Sequence, residues 1–252
     1  MEPSRHTVRS FDEELTHLSN LIIEMGGHAE SQLARAISAF TSRDGALAAE
    51  VVADDSRVDH YEEEIDSAAI RVLALRQPMA HDLRQVVTAL KISNILERIA
   101  DYASNVAKRS IALSQLPPVR PAHGIPHMGR LAQQMIKDVL DAYVRGDAEK
   151  ALWVWQHDVE IDAIYESLFR ELLTHMMEDR RTITACTHLL FIAKNIERIG
   201  DHATNVAELV VYQVRGERIT ASRPKTDRTS FAVVPAPEAV PPRGHEAPDP
   251  DR

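Results

Sequence analysis

The sequence predicts an all-α protein made of two repeat-related antiparallel three-helix bundles. Aromatic residues make up 5% of the 252 residues, glycines number only 9, and alanine, leucine, glutamate and arginine abound, a composition that favours helices over sheets. An eleven-residue stretch also occurs twice, 197 − 97 = 100 positions apart, as ERIADYASNVA from Glu97 and ERIGDHATNVA from Glu197. Because eight of its eleven positions agree, the stretch indicates an internal repeat and therefore two similar halves.

Three helices are predicted in each half, because apolar residues recur at steps of three and four. We expect Gly26 and Gly27 to kink the first helix. Pro78 separates the second helix from the third, and Gly146 ends the first helix of the second half. The predicted helices run from about residue 7 to 41, 44 to 76, 80 to 114, 126 to 145, 147 to 179 and 182 to 214.

The domain boundaries follow from this pattern and from the prolines. Residues 1–116 form the first predicted three-helix repeat, 117–126 a Pro-rich linker and 127–216 the second repeat. Residues 217–252 hold seven of the 13 prolines and a single aromatic residue. A segment of this composition cannot bury enough apolar surface to fold, so we expect a disordered tail.

Charge and cysteine usage narrow the possible functions. The formal net charge is −9, from 29 basic and 38 acidic residues, which argues against a nucleic-acid partner. Cys186 is the only cysteine, so we expect a buried structural thiol and a reducing compartment. No leader and no apolar run of about 18 residues is present. The sequence therefore predicts a cytoplasmic protein that reaches the inner membrane only through partners.

Acidic pairs spaced four residues apart are the candidate functional residues. In both copies of the repeat they lie opposite the apolar stripe, so we expect them to face outward at the surface. Like charges at this spacing cost an isolated helix about 0.2–0.5 kcal/mol, a penalty that a bound cation would remove. The same spacing recurs on the preceding helix of each half, at an offset of 103. The four pairs are Asp55 and Asp59, Glu97 and Asp101, Asp158 and Asp162, and Glu197 and Asp201.

Longer segments around both copies resemble a known family. PMAHDLRQVVTALKISNILERIADYASNVAKRSI, from Pro78, is similar to the central helix of PhoU proteins. HLLFIAKNIERIGDHATNVAE, from His188, is similar to the counterpart of that helix in their second half, and VYQVRGERI closes the helix as in family members. The opening FDEEL, the two-copy layout and the proline linker extend the resemblance over residues 7–219.

The resemblance implies a fold of two symmetry-related three-helix bundles and a regulatory role. PhoU proteins are negative regulators of the phosphate-starvation response and of phosphate uptake. They couple the ATPase subunit of the Pst phosphate ABC transporter to a PhoR-type sensor histidine kinase when phosphate is plentiful. The resemblance thus implies an adaptor without catalytic activity, and we expect a homodimer.

Metal binding is also implied by the family, whose E(D)xxxD motifs hold multinuclear iron or zinc, or are associated with magnesium or manganese. All eight acidic residues of the four pairs match these motifs, although the fold should not require the metal. His202 is a possible nitrogen ligand that would favour zinc or iron, but a histidine beside an acid is more often solvated. Tyr102 occupies the equivalent position in the first copy, so the two sites are expected to differ.

Two alternatives remain open from the residues. Clustered carboxylates would also suit a metal-binding or metal-buffering protein. A ferritin-like metalloenzyme would need Glu-x-x-His motifs facing the bundle interior, and neither Glu97 nor Glu197 has a histidine three residues on. No nucleophile and base arrangement and no GxxxxGK phosphate loop occurs, so we expect no enzymatic activity.

Overall fold

A computed structural model describes residues 4–221 together with Arg223 and Thr229, so most of the tail predicted at 217–252 lies outside the described residues. In this part of the chain the backbone forms eight α-helices and two short 3-10 turns, with no strand, which confirms the predicted fold class. The helices are α1 (Ser4–Ser42), α2 (Gly45–Ala53), α3 (Ser56–Arg76), α4 (Ala80–Ser114), α5 (Gly124–Arg145), α6 (Ala148–Gln156), α7 (Val159–Glu178) and α8 (Ile183–Arg215).

Each half is a three-helix bundle whose middle helix is broken. In the first half α1 and α4 pack with α2 and α3, and in the second half α5 and α8 pack with α6 and α7. The sequence predicted one continuous middle helix in each half. Instead, the backbone tightens at Asp54 and Asp55, and at His157 and Asp158, where hydrogen bonds span three residues instead of four. The breaks place Asp55 and Asp158 at the N-caps of α3 and α7.

The expected kink at Gly26 and Gly27 is replaced by a continuous α1. Gly26 instead makes room for α5, because a Cβ atom there would lie 2.6 Å from a methyl carbon of Leu140. An equivalent contact occurs at Gly129 of α5, where a Cβ atom would lie 2.6 Å from Ile37 of α1. Glycine therefore serves close helix approach at both positions.

These reciprocal contacts reveal an approximate twofold axis between the halves. Gly26 and Gly129 are 129 − 26 = 103 residues apart, as are Ile37 and Leu140, so each half inserts an aliphatic side chain from an equivalent position into the other. In α4 and α8 the rings of Tyr102 and His202, 100 positions apart, stack with centroids separated by 5.5 Å. Equivalent residues of an internal repeat can meet in this way only near the symmetry axis. Arg109, which follows the first motif, lies over the ring of Phe191, which precedes the second. The two repeat copies therefore run antiparallel through the centre of the molecule.

A continuous hydrophobic core joins the two halves. Cys186 is fully buried, as predicted. Full burial of each leucine or isoleucine side chain contributes about 1.5–3 kcal/mol relative to exposure. Among the described helices, none is both long and apolar enough to cross a bilayer. The largest fully buried side chains are Leu18, Ile22, Met25, Leu33, Ile65, Ile92, Leu96, Ile99, Ile125, Met128, Ile136 and Ile161.

The close approach of α1 and α5 predicts opposite responses of adjacent glycines. Gly26→Val should lower the free energy of unfolding by about 1–3 kcal/mol, because the new side chain would displace Leu140. Gly27 is exposed with no heavy atom within 4 Å of a new Cβ, so Gly27→Val should have little effect. Thermal unfolding followed by circular dichroism compares the two. Equal melting temperatures would contradict the packing of α5 on Gly26.

Candidate cation-binding pockets

The first acidic pocket lies between α3 and α4. We define it by Asp55, Asp59, Glu62, Glu97 and Asp101, whose carboxylates repel one another. The structure thus brings together the two predicted acidic pairs of the first half. It adds Glu62, which belongs to neither predicted pair.

Burial and mutual repulsion raise the pKa values of several carboxyl groups in the first acidic pocket. Burial first, and then the charges of Asp101, Glu62 and Asp59, raise the pKa of Glu97 from 4.5 to about 7. Burial, followed by the neighbouring carboxylates, also raises the pKa of Asp59 and of Glu62. Arg98 opposes the shift of Glu97 but does not cancel it. The pocket therefore holds an excess of negative charge.

The second acidic pocket lies between α7 and α8 and comprises Asp158, Asp162, Glu197 and Asp201. Contrary to the expectation of outward-facing carboxylates, Asp158, Asp162 and Glu197 are only 1–2% exposed. The helical pattern placed them opposite the main apolar stripe, but α7 packs over that side of α8. These charges therefore lie in the contact between two helices.

Gly200 allows this burial. A Cβ atom at Gly200 would lie 2.6 Å from Oδ1 of Asp158 and 3.1 Å from Ile161. The equivalent residue of the first copy is Ala100. Only glycine, which has no side chain, leaves room for a carboxylate so close to the backbone of α8. The change from Ala100 to Gly200 within the repeat is the sequence signal for this close approach.

Two cationic side chains enter the second acidic pocket. Nζ of Lys194 lies 2.9 Å from Oε2 of Glu197, and Nη2 of Arg223 lies 3.3 Å from Oδ2 of Asp158. Arg223 also forms an ion pair with Asp201. Burial raises the pKa of Asp158 to about 7, although Arg223 lowers it. Burial also raises the pKa of Glu197, against the opposing effect of Lys194.

His202 lies at the centre of the molecule beside the second acidic pocket. Its ring stacks on the ring of Tyr102. The guanidinium carbon of Arg198 lies 5.7 Å from the centroid of the Tyr102 ring. Burial first, and then the charge of Arg98, lower the pKa of His202 below its ordinary 6.5. Both effects favour the neutral imidazole, the form that a metal ligand requires. Its role as a ligand stays a prediction.

The two pockets differ in how well they suit a cation. Carboxylate oxygens are the donors that magnesium and manganese prefer, and they also bridge iron. Among residues 4–221, 223 and 229, no group of three or more histidine, cysteine or acidic side chains is arranged so that it could hold a metal ion. Asp59 and Asp101 are exposed and free to rotate towards an ion, whereas the second acidic pocket already contains Arg223 and Lys194. The first acidic pocket therefore fits an exogenous cation better.

The raised pKa of Glu97 predicts a pH dependence of stability. The unfolded chain titrates this carboxyl near 4.5 and the folded chain near 7, so the folded state binds more protons between these values. The stabilisation is complete below pH 4.5 and is lost as the pH rises through 7. In chelator, the melting temperature of Glu97→Gln should therefore fall less than that of the wild type between about pH 5 and about pH 8.

Glu171→Gln provides the control for this comparison, because Glu171 is an exposed glutamate of α7. The melting temperature of Glu171→Gln should change with pH as that of the wild type does. If the melting temperature of Glu97→Gln also showed the wild-type pH dependence, burial between α3 and α4 would not perturb the titration of Glu97.

Comparison with known proteins identifies the family. The PhoU domain model matches the chain twice, over residues 22–110 and 125–210, and each match contains one acidic pocket. The chain is 53% identical over 225 residues to the phosphate-specific transport system accessory protein PhoU homolog of Caulobacter vibrioides (strain NA1000 / CB15N), covering 89% of this chain and 98% of the relative. It is 50% identical over 226 residues to the homolog of Rhizobium meliloti, covering 89% and 95%.

Solved structures agree with these sequence relatives. PhoU from Pseudomonas aeruginosa superposes with a TM-score of 0.80 at 41% identity, covering 82% of this chain and all of that one. The phosphate transport system regulatory protein PhoU from Streptococcus pneumoniae gives a TM-score of 0.78 at 29% identity, covering 84% of this chain and all of that one. With both halves matched in sequence and in fold, this chain belongs to the PhoU family.

Proposed function

We propose that this protein is an accessory regulator of phosphate transport that represses phosphate uptake and the phosphate-starvation response. The main support for this proposal is the match of both halves to accessory proteins of phosphate-specific transport systems, at 53% and 50% identity over 89% of the chain. As an adaptor, it would contact the ATPase subunit of the transporter and a PhoR-type sensor histidine kinase. The kinase is proposed from the family resemblance.

The shape of the molecule supports a role that needs two contact surfaces. Large apolar side chains are exposed where α3 meets α4, with Met79 80% exposed, and where α7 meets α8, with Met177 52% exposed. Because α4 and α8 run antiparallel, these two apolar tips lie at opposite ends of the molecule. Exposed apolar surface at both ends suits the binding of two partners.

A promoter reporter that responds to phosphate tests the regulatory role. In cells that lack this protein and grow in ample phosphate, reporter activity should rise, and the wild type should silence it again. Met79→Asp/Met177→Asp should fail to silence it, because each aspartate would have to be desolvated in a partner contact. Ile70→Asp, at an exposed isoleucine on α3 before the tip, serves as the control and should silence the reporter.

A reporter that stays silent in the deletion strain would contradict the regulatory role. Copurification of the transporter ATPase and the kinase with the wild type, and their loss with the double variant, would separate an adaptor from a regulator that acts without contact.

We also propose that the first acidic pocket binds a divalent cation, with magnesium or manganese favoured by its oxygen donors and iron or zinc as alternatives. The support is the gathering of five carboxyl groups between α3 and α4, where burial first and then mutual repulsion raise the pKa of Glu97 to about 7. A cation between α3 and α4 would remove this repulsion and join the two helices. Asp59, Glu97 and Asp101 would supply the first ligands, with Asp55 and Glu62 beside them.

Manganese binding tests this proposal by calorimetry and thermal unfolding. At a free concentration of about 100 times the dissociation constant, one bound ion would stabilise the wild type by about 2.7 kcal/mol. Glu97→Gln/Asp101→Asn should lose this gain, because two ligands are neutralised, whereas Glu171→Gln should keep it. If the double variant bound as much manganese as the wild type, the ion would have to bind elsewhere.

A further inference from the structure

We propose that Arg223 is the built-in cation of the second acidic pocket. Its guanidinium fastens the segment after α8 to the body of the protein until a divalent cation displaces it. The contact stands on the observed geometry, whereas the displacement step extends to the second acidic pocket the cation binding proposed above for the first. The proposal gives the C-terminal segment a role that the family resemblance leaves unassigned.

One guanidinium reaches groups on two helices. Nη2 of Arg223 lies 3.3 Å from Oδ2 of Asp158 and forms an ion pair with Oδ1 of Asp201. Nη1 donates to Oγ1 of Thr204 and, at 3.5 Å, to the backbone carbonyl of Asp201. The side chain is only 12% exposed. These contacts tie α7, α8 and the following segment together.

The path of the chain explains how Arg223 reaches the second acidic pocket. Gly216 caps α8 with a left-handed φ of 76° and reverses the chain. Arg218 then lies over the ring of Tyr212, with its guanidinium carbon 5.9 Å from the ring centroid, and Ile219 packs against the core. Thr204 lies 12 residues before Gly216, about 18 Å along the helix. The seven residue steps from Gly216 to Arg223 reach up to about 24 Å when extended, which is enough for Arg223 to lie beside Thr204.

The second acidic pocket needs such a cation because of its burial. Asp158 and Glu197 are 1% and 2% exposed, and a buried charge without a partner is costly. Lys194 contacts Glu197, and Arg223 contacts Asp158. The first acidic pocket is more open, and there Nε2 of Gln32 donates to Asp55 at 2.9 Å. Burial thus explains why a resident cation is found in the second pocket.

A divalent cation and Arg223 would compete for the same oxygens. Both need the lone pairs of Asp158 and Asp201, and the 2.6 Å distance from Oδ1 of Asp158 to a Cβ at Gly200 shows that little space remains. Entry of a metal ion would therefore release Arg223. The presence of an ion in the second acidic pocket would then be reported by exposure of the Arg223 side chain.

Arginine labelling with phenylglyoxal, followed by mass spectrometry, tests the contact in metal-free protein. Arg223 should react at least about tenfold more slowly than the exposed Arg180, as expected if a charge-assisted hydrogen bond must break first. Asp201→Asn should remove most of this protection. Asp101→Asn, the matched change in the first acidic pocket, should leave it intact. Equal rates for Arg223 and Arg180 in the wild type would overturn the proposal.

Manganese titration tests the displacement. In a Glu97→Gln/Asp101→Asn background, which disables the first acidic pocket, Arg223→Gln should bind manganese about tenfold more tightly than the background protein, since no hydrogen bond to a charged group has to be broken. Arg218→Gln is the control and should bind manganese no more tightly than the background protein. Manganese should also accelerate the labelling of Arg223 in the wild type.

The outcomes separate this inference from the proposed cation function. Equal manganese affinity with and without Arg223 would overturn displacement. If neither pocket bound manganese while Arg223 stayed protected, the cation function would fail together with displacement, and the labelling ratio would still establish Arg223 as the resident cation.

Discussion

The close packing of the middle helix against the third helix in each half brings like charges together. Asp55 and Asp59 meet Glu97 and Asp101 in one half, and their equivalents meet in the other. Such a contact can persist only if the charge is neutralised by protonation or by a cation, or stabilised by hydrogen bonds. The raised pKa of Glu97, the hydrogen bond from Gln32 and the ion pair of Arg223 represent these three solutions.

Approximate twofold symmetry explains why the two pockets lie so near each other. The repeat copies pass through the centre as antiparallel helices, so the residues that flank one motif also approach the other. Arg98 of the first copy lowers the pKa of His202 in the second, and Arg198 of the second copy lies over Tyr102 of the first. Stacking of Tyr102 on His202 brings residues that flank the two motifs into direct contact. Residues beside one motif therefore act on side chains beside the other.

Small departures from the repeat make the two pockets chemically different. Gly200 stands where the first copy has Ala100, and it admits Asp158 into the contact with α8. The second acidic pocket is consequently buried and uses cations of the chain itself, whereas the first remains partly open. A duplicated motif has thus given one pocket with a resident cation and one suited to an exogenous ion.

The sequence by itself determined the fold class, the two-copy layout, the burial of Cys186 and the eight acidic residues, because helical periodicity and internal identity are local properties. Only the tertiary structure decided which of these residues are buried, because burial depends on the neighbour that covers a helix face. It also decided the break at Asp158, the close approach at Gly26 and the contribution of Glu62. Arg223 could not be found by pattern, since the chain must first reverse at Gly216 before this residue comes near Asp158.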